Sequence, residues 1–146
     1  MFGYIISPYS LQVVQKAFQD RHQLFGYVGD FTVDEFIKYC QAASSISLDI
    51  LVIDIRCCPD EGIIKGIRQF RVRNNARIIL LAPGRQPGDP TISQLVNLSV
   101  WDIIAPSFND ENDELDEEDK ENEELQLASL ISKQLQMKFS YGNASR

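Results

Sequence analysis

The chain has 146 residues, is 44% hydrophobic and carries a formal net charge of -7. That length suits one compact domain able to bury about 70% of its unfolded surface, and the longest apolar runs, such as Ile78 to Pro83, fall far short of the roughly 20 residues a membrane span needs. The acidity is local: 109–124 holds eleven acids and one lysine, a net of -10, and the remaining residues together carry +3, which makes no basic stripe for nucleic acid.

No basic segment precedes the apolar stretch Phe2 to Ser7 and no small-residue cleavage site follows it, so a secretory signal is not expected and the protein is expected to be cytoplasmic. Phe2 to Ser7 reads as a short buried strand ended by Pro8. Ser10 then caps a helix running through Arg21, with Leu11, Val14, Ala17 and Phe18 on one face. Phe25 to Val28 is a second short strand, Gly29-Asp30 turns the chain, and Thr32 with Glu35 forms a capping box for a helix carrying Phe36, Ile37, Tyr39 and Cys40. Asp49 to Ile55 is an aliphatic, β-branched run without alternation, as in a central parallel strand covered on both faces. Ile63, Ile64, Ile67, Phe70 and Arg71 follow helical spacing, and Ala76 to Ala82 is a fourth buried strand before a Pro/Gly-rich loop, Pro83 to Pro90. Thr91 starts a helix with Ile92, Leu95, Val96 and Leu98, and Val100 to Ala105 is a fifth strand closed by Pro106.

Strands alternating with helices through short links imply right-handed crossovers and an α/β fold, a doubly wound five-stranded parallel sheet between helices. The α/β body is assigned to 1–108. The acidic stretch 109–124 cannot bury enough apolar surface to fold and reads as a disordered linker; a charge mimic of nucleic acid and a docking tail for a basic partner are the other readings. Helical periodicity returns at 125–139 through Leu127, Leu130, Ile131, Gln134 and Leu135, a final helix completing the domain.

Few residues point to chemistry. There is no GxxxxGK[ST] motif and no strand-linked GxGxxG. The single histidine, His22, falls at a helix end and reads as a cap or surface residue, so hydrolytic catalysis is unsupported. Three cysteines without paired CxxC motifs argue against structural zinc, and no metal or other cofactor is expected. Cys57 and Cys58 are adjacent; they read as two reduced thiols in a loop, with a vicinal disulfide the alternative.

The stretch DILVIDIRCCPDEGIIKGIRQFR, Asp49 to Arg71, resembles the third strand, following loop and third helix of response-regulator receiver domains; ARIILLAPG and WDIIAPS resemble the fourth and fifth strands. The resemblance implies a flavodoxin-like sheet in the order 2-1-3-4-5. It places the family's phosphoacceptor aspartate at Asp54, followed by Pro59, Asp60 and Gly62. The switch positions depart from the family. Its acidic pair after the first strand is replaced by Ser7-Pro8-Tyr9, its hydroxyl residue after the fourth strand by Ala82, and its lysine by Ala105. The loop from Asp54 to Pro59 is one residue longer than usual. Phosphoryl transfer to a carboxylate needs a divalent cation held by neighbouring carboxylates, so the metal site is expected to be absent and Asp54 vestigial. The first loop also lacks the Ser/Thr/Gly-rich composition for flavin phosphate.

The expected role is therefore a non-catalytic pseudo-receiver, not an enzyme, that binds a protein partner, a fused output domain or a second copy of itself. Its candidate face is drawn from Thr91 to Ala105 and 125–139, with Leu95, Trp101, Leu127, Leu130 and Ile131; core packing is the other reading of Trp101. The arrangement is similar to the amino-terminal receiver-like part of pilus-assembly ATPases that mark a cell pole. The alternative is an atypical receiver phosphorylated on Asp54 in a two-component pathway.

Overall fold

A computed structural model of the chain describes residues 1–86 and 88–105. In chain order these form β1 (Phe2–Ile6), α1 (Leu11–Ala17), β2 (Gln23–Val28), α2 (Val33–Ser44), β3 (Ile50–Asp54), α3 (Asp60–Arg73), β4 (Arg77–Leu81), α4 (Pro90–Asn97) and β5 (Asp102–Ile104). All five strands are parallel and lie in the order β2-β1-β3-β4-β5, the expected flavodoxin-like arrangement. The closing Pro106, the acidic stretch 109–124 and the segment 125–139 lie outside the described residues. Among the described residues no helix is long and apolar enough to cross a membrane.

The period-two pleat of the central strands feeds two separate apolar clusters, which is why their sequences show no alternation. Ile5, Leu51, Ile53, Ile78 and Leu80 face Phe36 of α2 and Ile63, Ile67 and Phe70 of α3. Phe2, Tyr4, Ile6, Val52, Ile79 and Leu81 face the other way, against Val13 and Val14 of α1 and Phe18 just beyond it.

Several boundaries differ from the sequence reading. Ser10 does not cap α1; Pro8–Ser10 forms a 3₁₀ turn with Pro8 at its first position, and the helix ends at Ala17 rather than Arg21. Ser10 is withdrawn from capping because its hydroxyl is bound to Asp54. α4 is capped by Asp89, whose Oδ1 accepts the Thr91 and Ile92 N–H groups at 2.9 and 3.2 Å, with Pro90 in the first turn. β5 is only three residues long, so Val100 and Trp101 precede it. The Thr32–Glu35 capping box forms as expected.

α2 and α3 approach closely because α3 carries glycine at Gly62 and Gly66 on the shared face. A Cβ at Gly66 would lie 2.5 Å from the Phe36 ring and 2.9 Å from Cys40 Sγ. Both neighbours are fully buried and have nowhere to retreat. Gly66→Ala is expected to destabilise the fold by about 1–3 kcal/mol through overpacking, read as a lower urea midpoint with an unchanged m-value.

Candidate functional site

β3 ends on Asp54, and its side chain is wholly buried where parallel-sheet folds ordinarily present ligand-binding groups, at the carboxyl ends of the strands. A buried carboxylate must be supplied with donors, and here they come from two segments, the turn after β1 and the turn after β3. Oδ2 accepts the Ser7 N–H at 3.2 Å, the Ser7 hydroxyl, and the Ser10 hydroxyl at 2.7 Å. Oδ1 accepts the Arg56 N–H at 3.0 Å and Arg56 Nε at 3.1 Å. The Arg56 guanidinium reaches back to donate from Nη2 to Ser10 Oγ at 2.8 Å, closing the ring of contacts.

The local sequence produces this geometry directly. Pro8 starts the 3₁₀ turn that brings Ser7 and Ser10 to the same carboxylate oxygen. A second 3₁₀ turn, Ile55–Cys57, is capped by Asp54 itself through the Arg56 N–H. Outside the ring, Tyr9 is 76% exposed and its ring centroid lies 5.5 Å from the Arg56 guanidinium carbon, a cation–π contact over the site.

Five donors meet a group with about four lone-pair sites, so neither oxygen is left to attack an electrophile or bind a cation. The residues do not fit a divalent cation: the side chains that meet Asp54 are Ser7, Ser10 and Arg56, none of them a carboxylate, and Arg56 supplies the positive charge already. Among the described residues no group of His, Cys, Asp and Glu has a metal-binding arrangement.

The remaining candidate positions disperse. Ser7 is buried and joined to Asp54, whereas Pro8 is exposed. Ala82 is fully buried at the end of β4, its N–H bonded to the Ile104 carbonyl at 2.8 Å, and Ala105 is half-buried after β5. Leu95 corrects an expectation: it is fully buried in the α2–α3 side of the core, so it presents nothing to a partner. Trp101 is half-buried, while Leu127, Leu130 and Ile131 lie outside the described residues. His22 is exposed, as expected. Cys40, Cys57 and Cys58 are free and buried. Cys57 Sγ points to the Ile5 carbonyl at 3.7 Å and Cys58 Sγ to the Thr32 carbonyl at 3.8 Å, so the adjacent sulfurs serve different elements. Burial raises all three thiols, Cys58 to about 11 and the other two further.

Two participants escaped the sequence reading, Ser10 and Arg56. The available signal was electrostatic: a carboxylate at the end of a fully apolar strand needs a counter-charge, and Arg56 is the first basic residue after it.

A second polar cluster ties α3 to the loop after β4. Arg85 binds Asp60 through both Nη atoms, at 2.8 and 2.7 Å, and reaches Asp89 at 3.2 Å; Thr91 Oγ1 donates to Asp60 at 3.0 Å. At the opposite end of the sheet, a depression of about 350 Å³ is lined by Gln41, Ser44, Gln69, Val72 and Arg73. None of these is a carboxylate, histidine or cysteine.

No protein-family model, curated protein or solved structure matches the chain.

Asp54→Ala is expected to cost about 3 kcal/mol, because Ser7, Ser10 and Arg56 lose their common acceptor. The sign is diagnostic, since removing one carboxylate from a crowded acidic pocket relieves repulsion and stabilises; chemical denaturation of the variant measures it. The Arg85 hydrogen bonds lower the Asp60 pKa, with that of Thr91 helping. A depressed folded pKa means the contribution is complete above the unfolded value near about 4 and fades as pH falls through the folded value. Asp60 is 39% exposed, so screening holds this to within about 1 kcal/mol. Urea titrations below about pH 4 should show a shallower acid-side loss of stability in Arg85→Met than in the unaltered chain.

Proposed function

We propose that this chain is a degenerate receiver-like module that acts by protein–protein recognition, as a regulatory or dimerisation element of a signalling or localisation protein, and not by phosphoryl chemistry. The observation supporting this reading is the saturation of Asp54. Freeing even Oδ1 breaks two hydrogen bonds to a charged acceptor, a cost on the order of 3 kcal/mol before any reaction begins. A phosphoryl group there would also need charge neutralisation from a cation that Ser7 and Pro8 do not attract.

In this reading the serines and arginine replace the switch with a fixed strut. The same contacts that deny Asp54 a phosphoryl group hold β1, β3 and the turn before α3 in one arrangement, which suits a surface recognised by shape. A cytoplasmic location accords with three reduced thiols.

Incubation with a small phosphodonor and Mg²⁺ followed by intact-mass measurement is expected to leave the mass unchanged. A stoichiometric phosphate adduct that disappears in Asp54→Asn would replace this reading with that of an atypical phosphoacceptor.

A further inference from the structure

The two edges of the sheet are guarded unequally. An open strand edge is normally blunted by brevity, charge, proline or a bulge away from the sheet. β5 has three residues and carries Asp102, fully buried and held by Arg77 at 2.8 and 2.9 Å. β2 has six residues, Gln23–Val28, with no charge and no proline; its register against β1 shifts at its start, between Gln23 and Phe25, and is regular from Phe25 to Val28. Gln23 and Gly26 are exposed and Val28 is 38% exposed. Among the described residues no strand lies beyond β2.

The direction of the free groups follows from one hydrogen bond. The Gly29 N–H binds the Ile6 carbonyl at 3.0 Å, so strand alternation turns the backbone of Phe25 and Tyr27 toward β1 and that of Gly26 and Val28 outward. On the α2 side of the strand, Phe25, Tyr27, Tyr39 and Phe31 form a half-buried aromatic ladder, with successive centroids 5.6, 4.2 and 5.1 Å apart.

We propose that β2 pairs antiparallel with β2 of a second copy of this chain across a twofold axis, with Gly26 opposite Gly26. A twofold axis permits only antiparallel pairing of a strand with itself, and charge favours the same choice. Arg21 and His22 precede the strand and Asp30 follows it, all exposed; antiparallel pairing sets the basic end of each copy beside Asp30 of the other, twice over. In this register the outward groups of Gly26 and Val28 meet outward groups of the copy, and Phe25 faces Tyr27 of the copy, prolonging the aromatic ladder. Gly26 puts no side chain at the axis, and its own face is covered by the Tyr4 ring.

The inference rests on the interaction-module reading only for its biological sense. It does not involve Asp54, so the phosphodonor and self-association results can fail independently. Sedimentation equilibrium of the full chain over a concentration series is expected to show a monomer–dimer equilibrium. Val28→Pro removes an outward N–H without touching the ladder to β1, and should weaken the dimer roughly tenfold or more. Arg21→Glu should weaken it as well, and adding Asp30→Arg should restore it, with circular dichroism confirming that each variant is folded. Should Val28→Pro fail to fold, the two surface charge variants decide the matter. A chain that stays monomeric throughout, a dimer indifferent to these substitutions, or a charge reversal without rescue would each overturn the proposal.

Discussion

A carboxylate removed from water must be met by donors, and in this fold that requirement at Asp54 draws two separated segments, 7–10 and 54–56, into one place. Ser7 at the end of β1, Ser10 at the end of the first 3₁₀ turn and Arg56 after β3 all converge on it. The position of α1 depends on this convergence, because the turn that feeds the helix is anchored by Ser10. So does the closure of the loop before α3. The contacts stabilise as a set: with one partner gone, the buried Asp54, Ser7 and Ser10 are left incompletely satisfied.

The other polar contacts repeat this logic at the ends of the remaining elements. Arg71, near the end of α3, donates to the carbonyls of Asn74, Ala76, Leu98 and Ser99, joining two loops that apolar packing alone would leave unfixed. Its burial lowers its pKa to about 10, still far above neutrality. The charge stays on beside the last carbonyls of α4, where a helix terminus favours a cation. Asn74 adds the end of α2, its side-chain amide donating to the Ser44 and Ile46 carbonyls at 3.3 and 2.9 Å. With Arg85 and Asp60 at the opposite end, polar side chains clamp the sheet at both rims while the apolar clusters fill its faces.

The order of strands and helices was legible in the sequence because it rests on apolar periodicity, a local signal. Ile50 to Ile53 is buried on both faces and shows no alternation; Thr32 and Glu35 announce a helix start three residues apart. Asp54 and Ser7 stand out in the sequence only through the resemblance to receiver domains, which says nothing of the hydrogen bonds that join them. What remained hidden depends on distance in sequence. Ser10 looks like an N-cap because nothing within its own turn reveals a carboxylate 44 residues away. Leu95 looked like surface because a single helical face cannot say which neighbour covers it. β5 came out shorter than its apolar run, since strand length is set by pairing with β4 over three residues, not by composition.

The buried sulfurs have a practical consequence. Free thiols of ordinary acidity keep a few per cent thiolate at neutral pH and alkylate readily; Cys40, Cys57 and Cys58, packed in the core with their ionisation suppressed, do not. An alkylating reagent therefore consumes them only in molecules whose α2–α3 half has come apart. The chain carries its own stopwatch for local opening, with Cys40 timing the helix and Cys57 and Cys58 timing the connection that follows β3.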